Sequence, residues 1–284
     1  MNADARAHFE RYALASGRHA PPGYRIEVLP HLSRLKPLAP NAQAWVMFAR
    51  LPGEQADALI AAEVAHFAAL GLAFEWKWHG LDTPPDLPER LLRQGFRADD
   101  AEALMVLPTN SPAALALASH AAAAPGPGAG SAAPEGAGRG AAATLCQVGR
   151  DIDVGAGVRA AVQLQEQIWG RHFDWLEADL RAAFDDPATV IDLWLARAAG
   201  ATVGSGWTVG PAGSAFADLH GGALLPDWRG RGLYTALLGA RVHAARSRGV
   251  QALHVDAAPM SRPILQHKGF IFICETVPYH LATA

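Results

Sequence analysis

The sequence predicts an α/β protein: a mixed sheet with helices on its faces in the second half, and a smaller α/β domain in the first. Three observations carry this. The chain has 284 residues, more than the roughly 100–200 of a typical domain. A tract poor in large apolar residues and rich in Ala, Gly and Pro interrupts it near the middle. On both sides of that tract, helical and strand-like hydrophobic periods alternate. Half of the residues are hydrophobic and 18% are charged, a balance that supports packed cores.

In the first domain, residues 1–107, Ile60, Val64, Phe67 and Ala68 recur at helical spacing. Ala73 to Trp78 reads as a strand, and Leu87 to Gln94 as a helix ending in Gly95-Phe96. Residues 108–143 include SHAAAAPGPGAGSAAPEGAGRGAAA. So little apolar surface cannot offset the ordering of the backbone, and a flexible linker is expected. In the second domain, residues 144–284, Val158, Ala161, Leu164 and Ile168 mark one helix, and Leu176, Leu180, Ala183 and Phe184 another. Val190 to Arg197, Ala201 to Val209 and Ala215 to Leu225 form an antiparallel meander, turning at Ala198-Ala199-Gly200 and Gly210-Pro211-Ala212-Gly213. Leu233, Leu237, Ala240 and Ala244 set a long helix, which forces the strand from Ala252 to Asp256 into a right-handed parallel crossover. The helix Arg262 to Lys268 ends in Gly269-Phe270. That ending matches the first domain's, and the order of elements is consistent with a diverged internal duplication.

The 24 Lys plus Arg against 27 Asp plus Glu give a net charge of −3, which argues against a protein that wraps nucleic acid. Cys146 and Cys274 are far apart, with no disulfide framework or zinc-ribbon spacing, so a reducing compartment is expected. The first twenty residues lack the apolar core of a signal peptide, and no run of about 18 apolar residues occurs. A cytoplasmic protein without a membrane partner is expected. The histidines share no metal-ligand spacing, so no metal is expected.

The chemically informative stretch runs from Leu224 through Pro226-Asp227-Trp228-Arg229-Gly230-Arg231-Gly232 to Leu238, joining a strand to a helix. Two glycines one residue apart let a ligand approach the backbone closely. Amides converge at the helix N-terminus, where a phosphate is favoured. From Pro226 to Val250 five arginines face one aspartate, which suits an anionic ligand. A dinucleotide fingerprint would need glycine at Thr235, and a P-loop would need Gly-Lys-Ser/Thr. The bland alternative is a sharp turn with a solvated arginine face.

These residues resemble the phosphate loop of the GNAT superfamily of acyl-coenzyme A dependent N-acetyltransferases: Gln or Arg, two residues, Gly, one residue, then Gly or Ala. Arg229, Gly232 and Tyr234 stand at those positions, Tyr234 departing from the pattern. The resemblance covers about half the chain, residues 144–284, and implies acetyl transfer from acetyl-CoA by direct attack of an amine on the thioester. It implies that the amides of Gly230, Arg231, Gly232, Leu233, Tyr234 and Thr235 hold the pyrophosphate. Amides near Leu224 and Leu225 would polarise the thioester carbonyl. Ser261 either touches the pantetheine arm or caps the Arg262 helix. Counting back from Leu224 in twos puts Gly222, His220 and Asp218 on one strand face. Asp218 falls where many relatives carry a glutamate base, whereas His220 lies closer to the thioester and titrates in a more suitable range. A bulge at Gly221-Gly222 would shift this register. Many relatives place an acidic tyrosine where Leu265 stands, so no acid is assigned. Trp169, His172 and Trp175 lie in the segment that arches over the family's acceptor site, where they shape a pocket or pack between helices. The first domain has no Arg-Gly-x-Gly loop and is not expected to bind coenzyme A. The acceptor is a small-molecule or peptide amine, and a homo-oligomer is compatible with the sequence. The alternative is a non-catalytic acyl-CoA sensor or interaction module on the same fold.

Overall fold

The computed structural model describes residues 3–39, 43–122 and 143–281. In chain order the elements begin with α1 (Ala3–Ser16), β1 (Tyr24–Val28), β2 (Ser33–Pro37), β3 (Ala44–Met47), α2 (Ala56–Ala69), β4 (Phe74–His79), α3 (Leu87–Arg93), β5 (Phe96–Ala98) and β6 (Glu102–Pro108). They continue with α4 (Pro112–Ala122), β7 (Thr144–Gln147), α5 (Val154–Trp169), α6 (Leu176–Asp185), β8 (Thr189–Ala198), β9 (Ala201–Pro211), β10 (Phe216–Leu224), α7 (Leu233–Ser247) and β11 (Ala252–Ala257). The last are α8 (Arg262–His267) and β12 (Ile271–Leu281). Packing divides the chain into two compact units, Met1–Val106 with Asp256–Ala284, and Leu107–Val255.

In the first unit the strand order is β1-β2-β3-β4-β12-β6, with β5 also on β12. β1, β2 and β3 pair antiparallel, β3 and β4 parallel, and β12 runs antiparallel to β4, β5 and β6. One sheet face buries Val46, Phe74, Trp76, Val277 and Tyr279 with Ile60 and Phe67 of α2 and Leu87 and Leu91 of α3. The division expected from sequence carried the second domain to residue 284, whereas residues 256–284 pack with the first unit. β12 finds its ladder partners in β4 and β6, remote in sequence, and local periodicity carries no record of that.

In the second unit the order is β7-β8-β9-β10-β11. The meander β8-β9-β10 is antiparallel and β10 pairs parallel with β11, the crossover expected from sequence. The β8–β9 hairpin turns at Ala199 (φ 47°) and Gly200 (φ 80°), the positive pair that matches strand twist in a two-residue loop. One face of this sheet packs Leu193, Leu195 and Trp207 against Val158 and Ala161 of α5 and Leu176 and Leu180 of α6. The other packs Ala196, Val203 and Leu224 against Leu237 of α7. Asp153 caps α5 by accepting the Ala156 N–H at 2.9 Å, and Gly170 (φ 65°) ends it.

The tract expected to be a linker from residue 108 opens instead on a helix. Pro112–Ala122 forms α4, which buries Ala114, Leu117 and Ala118 and packs on α7. The Ser111 hydroxyl accepts the Ala114 N–H at 3.2 Å, and the alanines favour helix before the first Pro-Gly pair. Residues 123–142, the rest of that tract, lie outside the described residues. Three antiparallel strands, a helix, a parallel strand and a short helix ending at glycine occur twice, as β1-β2-β3-α2-β4-α3 and β8-β9-β10-α7-β11-α8. Among the described residues no helix is long and apolar enough to cross a membrane.

Candidate active site

The site is built on the far half of β10, where the strand is irregular. Asp218 pairs with Val209, Leu219 with Thr208 and His220 with Trp207, but the next pairs are Ala223 with Ser205 and Leu224 with Gly204. One extra residue has entered at Gly221-Gly222, a β-bulge. Gly221 takes φ +57°, and a Cβ there would lie 1.8 Å from Trp207 Cζ3. Only glycine fits both the backbone and the indole. Residues directly opposite share a face, so His220 and Asp218 stand with Trp207 on the α5/α6 side, and Leu224 with Gly204 on the α7 side. Counting in twos from Leu224 had placed all of them together; the bulge separates Leu224 from the two candidate bases. The exposed His220 ring lies nearly parallel to Trp207 (centroids 6.4 Å, 24°), and Asp218 is half-buried two residues away.

The parallel ladder with β11 joins Phe216–Asp218 to Ala252–His254, and β10 runs on past its end to Leu224. The Leu225 N–H donates to Val203 O at 2.9 Å. Leu225's amide is therefore engaged with β9, which corrects its expected role at a thioester. Antiparallel pairs alternate, so Leu224 turns its own N–H and C=O away from β9. Its carbonyl accepts from Arg229 Nε at 3.3 Å on that outer side. Gly221 O accepts from Gln165 Nε2 at 2.8 Å and Ser205 Oγ at 3.2 Å. The trans peptide then points the Gly222 N–H the opposite way, away from Gln165 and Ser205. Gly222, which sequence reasoning did not assign as a donor, thus turns its amide from the α5 side, while Leu224 directs its own away from β9. The doubled glycine was its only signal.

Beyond Leu224 the chain passes a 3-10 turn (Pro226–Trp228) and reaches α7 through Gly230 (φ 74°) and Gly232 (φ 78°). A Cβ on either glycine would meet nothing within 4 Å, so the loop surface is open. The first bond of α7 runs from Ala236 N–H to Gly232 O at 3.0 Å, and no side chain caps this end. Leu233, Tyr234 and Thr235 therefore keep amides without an intrahelical acceptor. With Gly230, Arg231 and Gly232 they line one short bend at the positive end of the helix. Arg231 lies over the Trp228 ring at 4.7 Å. The Tyr234 side chain turns inward: its ring and Arg241 Nη2 each come within 3.4 Å of where a Gly222 Cβ would stand.

Arg241 of α7 is 2% exposed, and burial lowers its proton affinity, an effect the Tyr234 partner opposes. Its Nη1 donates to His220 O at 3.4 Å and its Nε to Leu237 O at 3.2 Å. Ser261 precedes α8 in the first unit, and its side chain does not cap that helix. Leu265 is buried, so no titratable side chain occupies that position. Trp169 and Trp175 are 56% and 58% exposed, which excludes packing between helices as their role. His172 Nδ1 lies 3.2 Å from Glu166, whose carboxylate also accepts the Phe173 N–H. Among the described residues no group of three His, Cys, Asp or Glu could hold a metal.

In the first unit the equivalent gap, at the end of the β3–β4 ladder, is joined by main chain. Leu51 N–H donates to Thr83 O at 2.9 Å and Thr83 N–H to Ala49 O at 3.0 Å. Phe48 (φ 57°) stacks on buried His79 at 4.9 Å, with Phe9 of α1 beside both. Leu51-Pro52-Gly53-Glu54 leads into α2 with no arginine.

No family model and no curated protein matches the chain. Solved structures do. The GCN5-related N-acetyltransferase from Kribbella flavida is 15% identical with a TM-score of 0.64, over 100% of this chain and 97% of that one. A tandem GNAT protein from the clavulanic acid biosynthesis pathway is 16% identical with a TM-score of 0.56, over 100% and 89%. A GCN5-related N-acetyltransferase from Sphaerobacter thermophilus is 18% identical with a TM-score of 0.57, over 89% and 78%. At these identities the likeness is one of fold, and the fold of this chain is that of the GCN5-related N-acetyltransferases.

Proposed function

We propose that the chain is an N-acetyltransferase that moves an acetyl group from acetyl-CoA to the primary amine of a small molecule or peptide. The observation that carries this is the pairing, on one strand-to-helix connection, of an open amide-lined bend with a strand amide, that of Leu224, turned away from β9. The amides of Gly230 to Thr235 are suited to a diphosphate. The Leu224 N–H is suited to a carbonyl oxygen that gains negative charge. Bound acetyl-CoA supplies an activated acyl carbon: the amine nitrogen bonds to it, the C–S bond breaks with its electron pair on sulfur, sulfur takes up a proton and the nitrogen loses one. His220 serves as the base for that nitrogen, directly or through water, with Asp218 on the same face as the alternative. The first unit, with its gap bridged at Thr83 and a bend, Leu51-Pro52-Gly53-Glu54, without the Arg-Gly-x-Gly pattern, takes no coenzyme A in this reading.

Isothermal titration tests the binding step. Coenzyme A should bind wild type and not Gly232→Trp; no binding, or equal binding by both, removes the proposal. Buried Leu265, where many relatives carry the acid, favours a second reading, a sensor that binds acyl-CoA without turnover. Thiol release with a panel of amines separates the two, because a sensor shows no acceptor-dependent release.

A further inference from the structure

We propose that Gln165, Ser205 and Arg241 are positioning residues that clamp the β10 bulge from both faces of the sheet and so hold its outward amides and the His220 ring in register. The inference rests on the transferase reading only for its consequence in catalysis. Gln165 of α5 donates to Gly221 O at 2.8 Å and to Ser205 Oγ at 2.9 Å, and Ser205 donates to the same carbonyl at 3.2 Å. From the opposite face Arg241 donates to His220 O at 3.4 Å. Two successive carbonyls at the bulge are thus held by donors from two different helices and a neighbouring strand.

All three side chains are at most 4% exposed. Burying an amide, a hydroxyl and a guanidinium is unfavourable unless each finds partners. Here the partners converge on two peptide groups rather than scattering through the core. Arg241 is the most telling: its guanidinium donates to two carbonyls, Leu237 O and His220 O, rather than to a carboxylate. The sheet leaves room for it, since a Cβ on Gly206 would lie 2.8 Å from its Cζ. A regular strand would need none of this, because β9 alone would satisfy β10. A bulge loses ladder bonds and tends to move, and donors fixed in advance stabilise developing charge better than donors that must reorganise. The clamp also reaches the surface, since Gln165 Oε1 accepts the indole N–H of exposed Trp169 at 3.1 Å.

The test uses the full chain as Gln165→Met, Ser205→Ala, Arg241→Met and Arg241→Lys, with two readouts. Hydrogen exchange by mass spectrometry should show the peptide spanning residues 219–224 exchanging about ten-fold faster in Gln165→Met, with α7 unchanged. Acetyl transfer should fall about ten- to a hundred-fold in kcat, and in Gln165→Met and Ser205→Ala the KM for acetyl-CoA should stay within about two-fold, because neither side chain touches the diphosphate bend. Arg241→Lys should recover part of the loss seen in Arg241→Met. Should both Arg241 variants fail to fold, Gln165→Met and Ser205→Ala decide alone. Unchanged exchange in residues 219–224 overturns the clamp. Faster exchange with unchanged kcat overturns its positioning role. If wild type binds no coenzyme A, the transferase reading fails, and exchange alone then supports or overturns the clamp.

Discussion

Two adjacent glycines give opposite expectations for one and the same substitution. At Gly221 an added Cβ would lie 1.8, 2.2 and 2.5 Å from three atoms of the Trp207 ring, and the backbone sits at φ +57°. Left-handed backbone costs a non-glycine residue about 1–2 kcal/mol. Overlap with a ring already packed against α5 and α6 adds about 1–3 kcal/mol as the indole or the strand shifts. Gly221→Ala should therefore destabilise the second unit by about 2–5 kcal/mol. At about 2–4 °C per kcal/mol its thermal midpoint should fall by about 4–20 °C. At Gly222 the nearest atoms, Arg241 Nη2 and Tyr234 Cε2, lie 3.4 Å from the added carbon, an ordinary contact, and φ is not positive. Gly222→Ala should stay within about 1 kcal/mol of wild type. Calorimetry on both variants, with exchange mass spectrometry to assign each transition to its unit, measures the difference. Equal midpoints, or a greater loss at Gly222, would refute the bulge geometry and the face assignments that follow from it.

Other outcomes follow from the same geometry. Gly232→Ala meets open space but needs φ +78°, so it should cost about 1 kcal/mol in stability while titration shows weakened coenzyme A binding. His220→Ala should lower kcat far more than cofactor affinity and remove the acidic limb of the pH–rate profile, where a base gains its proton and stops working; an unchanged profile moves the assignment to Asp218 or water. Burial pushes the Cys274 thiol from 9.0 to about 12, helped by nearby Asp82. The folded thiol then keeps a proton that the unfolded chain loses above pH 9, so this contribution to stability is complete below that pH and disappears as pH rises toward 12. Denaturation midpoints of wild type and Cys274→Ala compared from pH 8 to 10.5 check the sign, and alkylation at pH 8 should spare Cys274 in the folded protein.

Much of this protein is local and was legible as such. Apolar residues three and four apart declared α2, α5, α6 and α7, and alternation with small turn residues declared β8, β9 and β10, because each period follows from the geometry of its own backbone. The bend at Gly230-Arg231-Gly232 was readable because left-handed glycines and free helix-end amides depend on neighbours in sequence. Strands β1 to β3, of four or five residues each, are too short to hold a period above noise. α4 was hidden by the composition of the tract that follows it. Gly221-Gly222 signalled a bulge without saying which amides would face outward. That depended on Trp207, Gln165, Ser205 and Arg241, brought together from α5, β9 and α7. The membership of residues 256–284 in the first unit had the same origin: a strand joins whichever sheet offers its edge, and the partners of β12 lie more than 160 positions away in the chain. Sequence determined what each segment could be, whereas long-range hydrogen bonding and packing decided which way its peptide groups point.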